Sequence, residues 1–325
     1  MPMFDEYRSE FAGLPVVDFP FRLADPLPEV EPDAVAWRVR LQISMPGENH
    51  EDFAERFAAF LEQVDVSRVR ALIIGMTTYM EQFDSGLAVS LLVRHAADLP
   101  NLRAIFLGEV VGTDAEVSWL NHVDLMPILE SYPLLERFQV RGGEDDWNPE
   151  LRAVRPFKHE ALRTLVFESG GLPPGTVRAV GESEIPELER LEFYLGDEAY
   201  GGGTTVEDLA WLFDAAGFPK LRHLGLRDAP NADEIAAALA HAPVVARLAT
   251  LDLSLGALGD EGAAALLAGQ PLNHLRRLDL HHHFLSEEMT QRLRETLPGL
   301  DLDLREQQQP ESWGDEQGRY IAVSE

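Results

Sequence analysis

The chain contains no cysteine, which excludes disulfide bonds, thiolate nucleophiles and thiolate metal ligands. Basic residues are also scarce: 27 lysines and arginines stand against 56 aspartates and glutamates, so the formal net charge is −29. That charge repels nucleic acids and anionic lipid headgroups at long range, so we expect neither a nucleic-acid nor a membrane partner. It would attract a basic protein or peptide, although solubility alone also explains it.

Long apolar runs are missing as well. No apolar stretch approaches the roughly 18 residues that a membrane-spanning helix needs. The first residues show neither the basic nor the apolar region of a secretory signal peptide. We therefore expect a cytoplasmic protein, and the 45% hydrophobic content of its 325 residues is enough for a long core.

A short apolar pattern is present eight times. In each copy, a large aliphatic residue is followed three positions later by a second large apolar residue, and two positions after that by a third. The first residues of successive copies lie 33, 33, 27, 26, 33, 27 and 27 positions apart, which is the period of leucine-rich repeats or about six residues more. The copies are Val69-Leu72-Ile74, Leu102-Ile105-Leu107, Leu135-Phe138-Val140, Leu162-Leu165-Phe167, Leu188-Leu191-Phe193, Leu221-Leu224-Leu226, Leu248-Leu251-Leu253 and Leu275-Leu278-Leu280.

The repeat predicts the fold class, an α/β leucine-rich-repeat solenoid. Apolar residues alternate within each copy as in a short strand, and a helical pattern follows most copies. A strand and a helix in about 27 residues form one turn of a horseshoe, with parallel strands on the concave face and helices on the convex face. We expect an N-terminal cap at 1–34, an array of about nine strand–helix units plus a terminal strand at 35–304, and a tail at 305–325.

Both ends of the array carry further patterns. Residues 35–41 alternate like a strand and residues 51–64 follow the pattern of an amphipathic helix, which predicts a degenerate first repeat. Residues 300–304 alternate strictly and predict the terminal strand. In the tail, residues 319–323 predict a short edge strand that folds back.

Two segments, LATLDLSLGALGDEGAAALLAG (248–269) and LRRLDLHHHFLSEEMTQRL (275–293), resemble the ribonuclease-inhibitor-like class of leucine-rich-repeat proteins. The amino-acid sequence of the whole chain resembles those of a family of bacterial leucine-rich-repeat proteins common in actinomycetes. The segments that carry this resemblance include LPVVDFP, VRALIIG and FYLGDEAYGGG. The resemblance implies an interaction scaffold for a protein or peptide partner, with a modifying enzyme as one candidate.

The chain departs from that class at one position of the repeat. The usual repeat carries an Asn whose side chain joins neighbouring turns, and none of the eight copies has it. Stacking must therefore depend on leucine packing and backbone hydrogen bonds, with His283 as a local substitute. The residues at this position are Thr77, Val110, Gly143, Gly170, Gly196, Ala229, Gly256 and His283.

Aligned copies place their variable side chains in columns across the strands, and these columns define the candidate site. Neighbouring strands lie about 4.8 Å apart, so the charges can form surface ion pairs of small individual value. Alternatively, they form a fixed binding surface with Trp147, Tyr194 and Tyr200 as anchors, where substitution of Arg227, Asp252 or Tyr194 abolishes binding and hardly changes stability. The predicted partner-binding residues are Arg141, Trp147, Arg190, Glu192, Tyr194, Tyr200, His223, Arg227, Asp252, Arg277, Asp279 and His281.

The first two copies are small or apolar on this face, where Ile73 and Phe106 stand beside glycines. An exposed patch of this kind usually marks a docking site. Either an external partner or the N-terminal extension covers it. The apolar residues of the extension are Leu14, Val16, Val17 and Phe19.

The run His281-His282-His283 raises the question of a metal site. Alternate residues of a strand face opposite ways, so three consecutive histidines cannot share one ion. We predict no bound metal and no cofactor. The alternative is a metal-binding sensor or a metal-assisted enzyme centred on Asp279, His281 and His283.

Enzyme chemistry has little support in the sequence. His223, Asp252 and Ser254 share a face, but a nucleophile also needs a pocket and an oxyanion hole. We therefore predict no catalytic residue and a protein that is not an enzyme. A third interpretation places a partner enzyme on the outer helices instead of the charged columns.

Overall fold

The computed structural model describes residue 4 and residues 6–21, 25–41, 52–77, 85–144, 152–214, 216–313 and 316–323. They form two compact units, Met1–Leu165 (unit 1) and Val166–Glu325 (unit 2). In both units, strands and helices alternate along the chain. None of the described helices is long and apolar enough to span a membrane.

Unit 1 carries a sheet whose strand order follows the chain. Its strands are β1 (Glu10–Phe11), β2 (Leu14–Asp18), β3 (Ala36–Val39), β4 (Ala71–Ile74), β5 (Ala104–Leu107), β6 (Asn121–His122), β7 (Arg137–Arg141) and β8 (Gly143–Glu144). Its helices are α1 (Phe53–Gln63), α2 (Ser85–Arg94) and α3 (Met126–Ser131). Strand β1 pairs antiparallel with β2, and β2, β3, β4, β5 and β7 then pair in parallel. The short strands β6 and β8 pair separately.

Strand β9 (Thr164–Glu168) contains the boundary between the units. The later strands are β10 (Arg190–Tyr194), β11 (His223–Arg227), β12 (Thr250–Asp252), β13 (Arg277–Asp279), β14 (Asp301–Asp303), β15 (Glu311–Trp313) and β16 (Glu316–Gly318). The helices of unit 2 are α4 (Pro174–Gly181), α5 (Ala210–Phe213), α6 (Ala232–Leu239), α7 (Asp260–Ala268) and α8 (Glu287–Thr296). Strands β10 to β14 pair in parallel, each with the next in sequence.

The register of these strands confirms the alignment of the repeats. In unit 2, the middle residues of successive copies lie directly opposite one another. Each is completely buried, because alternate residues of a strand point into the core beneath the helices. These residues are Leu191, Leu224, Leu251 and Leu278. The predicted mixed α/β class with parallel strands is therefore confirmed.

Predictions at the ends of the array are confirmed in part. The expected degenerate first repeat corresponds to β3 and α1, and the expected terminal strand to β14. The tail folds back without forming a strand at 319–323; instead, the amide of Ala322 donates to the carbonyl of Leu255 at 2.8 Å. The amide of Val323 donates to a side-chain oxygen of buried Asp228 at 2.9 Å. The division at residues 34 and 304 stays a prediction.

The apolar patch of the first repeats is covered by the chain itself. Leu14 and Val16 pack against a buried cluster that includes Ile73 and Phe106. Phe11, which the sequence did not single out, belongs to the same cluster. The expectation for Phe19 was wrong: alternate residues face opposite sides of a strand, and its ring packs edge-on against Phe60 of α1, with 5.6 Å between ring centres.

Candidate functional site

Ionic side chains of strands β10 to β14 share one face of unit 2, because alternate strand residues point the same way. One row across the strands contains Arg190, His223, Thr250, Arg277 and Asp301, and the next contains Glu192, Gly225, Asp252, Asp279 and Asp303. Tyr194 lies opposite Arg227 in a third row. We call these residues, with the following Ser254, His281 and Arg305, the charged face.

Glu192 is the centre of a first ionic cluster. Its side chain is 5% exposed, and one of its oxygens lies 2.6 Å from Nε2 of His223 and in contact with Arg190. Nη1 of Arg227 lies 3.8 Å from the other oxygen. Burial alone would raise the pKa of Glu192, but bonding with His223 and the charges of Arg190 and Arg227 lower it to about 2. The carboxylate is therefore ionised and lies among neighbouring cationic groups.

Arg227 joins this cluster to the third row. Its Nε donates to the hydroxyl of Ser254 at 3.0 Å and lies 3.3 Å from a carboxylate oxygen of Asp252. Its Nη1 donates to the hydroxyl of Tyr194 at 2.6 Å, and the guanidinium lies 4.6 Å from the centre of that ring. Arg227, Asp252 and Tyr194 are thus parts of a buried network, and we no longer expect their substitution to leave stability unchanged.

A second ionic cluster surrounds Arg277. Its guanidinium donates to Asp301 at 2.9 Å and to both Asp279 and Asp303 at 2.8 Å. Nδ1 of His281 lies 2.6 Å from Asp279. Although burial opposes the shift, the bonds from His281 and Arg277 hold the pKa of Asp279 well below its usual range. The carboxylates of this cluster are therefore also neutralised by the protein's own cations.

Three aspartates of the charged face have a further, structural role. One oxygen each of Asp252, Asp279 and Asp303 accepts a hydrogen bond from the amide two residues later, at 3.0, 3.2 and 3.2 Å. Such local bonds fix the backbone where each strand ends. The sequence pattern assigned Asp252 and Asp279 to partner binding, and Asp279 also to the metal alternative, although an Asp that recurs in successive copies was a signal for this turn.

The structure corrects the ligand set of the metal alternative. His283 is buried; its Nδ1 accepts from the amide of Leu285 at 3.1 Å and its Nε2 donates to the carbonyl of Leu304 at 3.1 Å. Both ring nitrogens are therefore in use, so His283 cannot join Asp279 and His281 on an ion. It bridges neighbouring turns instead, as predicted for a substitute of the missing Asn.

Two other groups bring three ligand atoms within 4.8 Å of one another in the part of the chain that the structure describes. They are Glu192, His223 and Asp252, and Asp279, His281 and Asp303. Arginines already bond the carboxylates of both groups. A divalent cation would have to displace these guanidiniums, whose positive charge opposes its approach.

The remaining predicted site residues lie elsewhere. Tyr200 ends the 3₁₀ helix Glu198–Tyr200 and is half-buried. Its backbone packs so closely on Gly171 that an added Cβ there would meet the Tyr200 carbonyl oxygen at 2.2 Å. Arg141 belongs to unit 1, where its guanidinium lies 3.6 Å from the ring centre of Phe4. Trp147 lies outside the described residues.

A buried histidine beneath Arg141 predicts acid sensitivity. Nε2 of His122 donates to the carbonyl of Arg141 at 2.8 Å, and burial lowers the pKa of His122 from 6.5 to about 4. The folded chain therefore binds this proton less tightly than the unfolded chain, and protonation favours unfolding. We expect the free energy of unfolding to fall by up to about 3 kcal/mol between pH 6.5 and pH 4 on this account.

Urea unfolding at several pH values measures this dependence. His122→Gln should flatten the decline in that window, because glutamine keeps a donor for the Arg141 carbonyl but does not titrate. His95→Gln is the control, since His95 is a half-buried histidine on the surface of the same unit. An equal decline in the parent and in the His122 variant would contradict the assignment.

The similarity of this chain to known proteins is found in its three-dimensional structure. No protein-family model and no curated protein matches the sequence. A solved protein from Bacteroides fragilis is 26% identical, with a TM-score of 0.76 over 89% of this chain and 77% of that one. The leucine-rich-repeat domain of APL1B is 13% identical, with a TM-score of 0.28 over 78% of this chain and 63% of that one. A leucine-rich-repeat protein from Leptospira interrogans is 12% identical, with a TM-score of 0.24 over 84% and 95%.

The likeness to the Bacteroides fragilis protein covers 89% of this chain, so the two proteins share the arrangement of strands and helices. Parallel strands that alternate with helices at the spacing of the apolar pattern are the features of a leucine-rich-repeat-like fold.

Proposed function

We propose that this protein is a non-catalytic interaction scaffold that binds a protein or peptide partner on the charged face and at the neighbouring loop around Tyr200. We also propose that its repeats build a ribonuclease-inhibitor-like horseshoe with this face on the concave side, and that it acts in the cytoplasm. The observation that supports the proposal is the arrangement of charge: exposed arginine heads held in place by buried carboxylates.

The exposed groups of the charged face are mainly cationic. The side chains of Arg190, Arg277 and Arg305 are 41%, 36% and 74% exposed, whereas those of Glu192 and Asp303 are almost fully buried. Each arginine is anchored by a carboxylate beneath it, so little side-chain entropy remains to be lost when a partner binds. The acidic charge on this face is already neutralised, which argues against a partner recognised only by being basic.

Variants of the exposed arginines test the proposal. The parent protein is used as an affinity bait, and the recovered partner is then titrated against purified variants. We expect Arg190→Gln/Arg305→Gln to weaken binding by about tenfold or more, as expected when two interface arginines are lost. The side chain of Arg305 is 74% exposed and that of Arg190 is 41% exposed, and His223 and Arg227 remain beside Glu192, so the thermal midpoint should fall much less than on substitution of Arg227.

Arg292→Gln/Arg294→Gln is the matched control, because both arginines are exposed on helix α8. It should bind the partner as the parent does. The opposite result, loss of binding in the α8 variant and full binding in the strand variant, would contradict the proposal and place the partner on the outer helices.

A further inference from the structure

The first residues of the chain lie across the strand face of unit 1. We call residue 4 and residues 6–11 the N-terminal segment. Phe11 of this segment packs against Phe106, with 5.9 Å between ring centres, in a cluster with small and aliphatic residues of β3, β4 and β5. The guanidinium of Arg137 in β7 lies 5.1 Å from the centre of the same ring. The segment thus spans several strands in sequence.

Side chains and one main-chain amide of unit 1 bind the main chain of the segment. The amide of Arg8 donates to Glu109 at 3.0 Å, and Arg38 donates to the carbonyl of Arg8 at 3.2 Å. The amide of Gly112 donates to the carbonyl of Phe4 at 3.0 Å. Glu109 and Arg38 are buried and also bond each other at 3.0 Å. Glu109 and Arg38 thus bind both the main-chain donor and the main-chain acceptor of Arg8.

Cations of unit 1 also hold the aromatic side chains of the segment. The Arg40 guanidinium lies 3.8 Å from the ring centre of Tyr7, and its Nη1 donates to the Tyr7 hydroxyl at 2.8 Å. The same hydroxyl bonds Asp114. Arg141 covers Phe4. Each aromatic ring therefore has its own cationic or apolar contact, as in recognition of a peptide by separate pockets.

The contact between the segment and the strands differs from an ordinary core. A permanent core is built mainly from apolar side chains, because buried ion pairs stabilise poorly for their desolvation cost. Here a buried arginine and a buried glutamate lie directly beneath the segment. A central apolar contact with charged groups around it is the composition of a surface that binds and releases a partner.

We propose that the face formed by β3, β4, β5 and β7 is a binding site for an extended protein segment, and that the N-terminal segment occupies this site in the free protein. The partner recognised by these contacts carries three aromatic residues with the spacing of Phe4, Tyr7 and Phe11. It also carries an arginine at the position of Arg8, whose guanidinium lies 5.0 Å from the ring centre of Phe106. It binds by displacing the N-terminal segment, which is joined to β2 by the turn at Ala12 and Gly13, both with positive φ. This site lies in unit 1 and is independent of the function proposed for the charged face.

A labelled peptide with the sequence FDEYRSEFAGL, which corresponds to residues 4–14, tests the site in the full-length chain. Tyr7→Ala/Phe11→Ala weakens the segment that competes within the chain, so the peptide should bind this variant at least about tenfold more tightly than the parent. When Glu109→Gln is added to this double variant, the peptide should bind at least about tenfold more weakly than to the double variant itself. The reason is that the substitution removes a charged acceptor of a main-chain amide.

Two controls accompany this titration. Glu10→Gln changes an exposed residue of the same segment and should leave the peptide affinity of the parent unchanged. A peptide with alanine in place of the tyrosine and the second phenylalanine should not bind. If the folded double variant binds the peptide no better than the parent does, the proposal is wrong.

Hydrogen exchange on the parent protein decides the case if the double variant does not fold. The proposal requires the Arg8 amide to exchange by local opening, at least about tenfold faster than the amides of β4 and β5. Exchange of all these amides only through global unfolding would overturn it, because the segment would then be a fixed part of the fold. Neither result bears on binding at the charged face.

Discussion

Replacement of Arg227 by alanine should lower the free energy of unfolding by about 3 to 5 kcal/mol, the usual cost of removing one partner from a buried ion pair. The reason is the position of the guanidinium, which lies between Asp252 and Glu192 and donates to Tyr194. Without it, two buried carboxylates lose a compensating charge and a buried hydroxyl loses its donor. Urea unfolding at neutral pH measures the loss.

Arg305→Ala is the matched control for this prediction. Arg305 also pairs with an aspartate of the charged face, but its own side chain is 74% exposed, so water can replace it. We expect a loss below about 1 kcal/mol, as for surface ion pairs. Equal effects of the two substitutions would show that burial of the Arg227 network does not contribute to stability.

Leu251→Ala is expected to have the second large effect, a loss of about 2 to 5 kcal/mol in the free energy of unfolding. Leu251 is completely buried and lies between Leu224 and Leu278 on the neighbouring strands. Because each repeat buries its apolar residues only against its neighbours, the cavity would weaken the packing of three successive turns. Thermal and urea unfolding provide the measurement.

The chain offers a leucine outside the repeat as the control. Leu134 is 53% exposed, so its replacement by alanine removes little buried surface and should change stability by less than about 0.5 kcal/mol. Should Leu251→Ala be as mild as Leu134→Ala, the middle residues of the repeats would not carry the core.

The repeats could be located from the sequence because their signal is local and periodic. The residues at the middle of each copy, such as Leu224 and Leu251, lie opposite one another as the alignment predicts. His283 bridges neighbouring turns in place of the absent Asn, which its position in the repeat predicted. The alternation of Ala36 to Val39 likewise identified a strand outside the eight clear copies.

The accessibility of the site residues could not be predicted in the same way. The position of a residue in the aligned repeats predicts on which side of a strand its side chain lies. Burial of that side chain depends on which other residues cover that side. Tyr194 and Arg227 bury each other, so neither is an exposed anchor. Arg141 stands in the same column and is covered by Phe4, which lies far away in sequence.

Sequence alone determined the phase of the eight repeat copies, the alternation of strand and helix and the apolar residues that each copy buries. These properties follow from residue spacing, which fixes the direction of each side chain relative to its own backbone. Tertiary structure decided which charges are neutralised and which residues cover the first strands. Contacts such as Arg8 with Glu109 or Arg227 with Asp252 join distant parts of the chain. Their strength depends on distance and on exclusion of water, and neither is encoded in the spacing of a repeat.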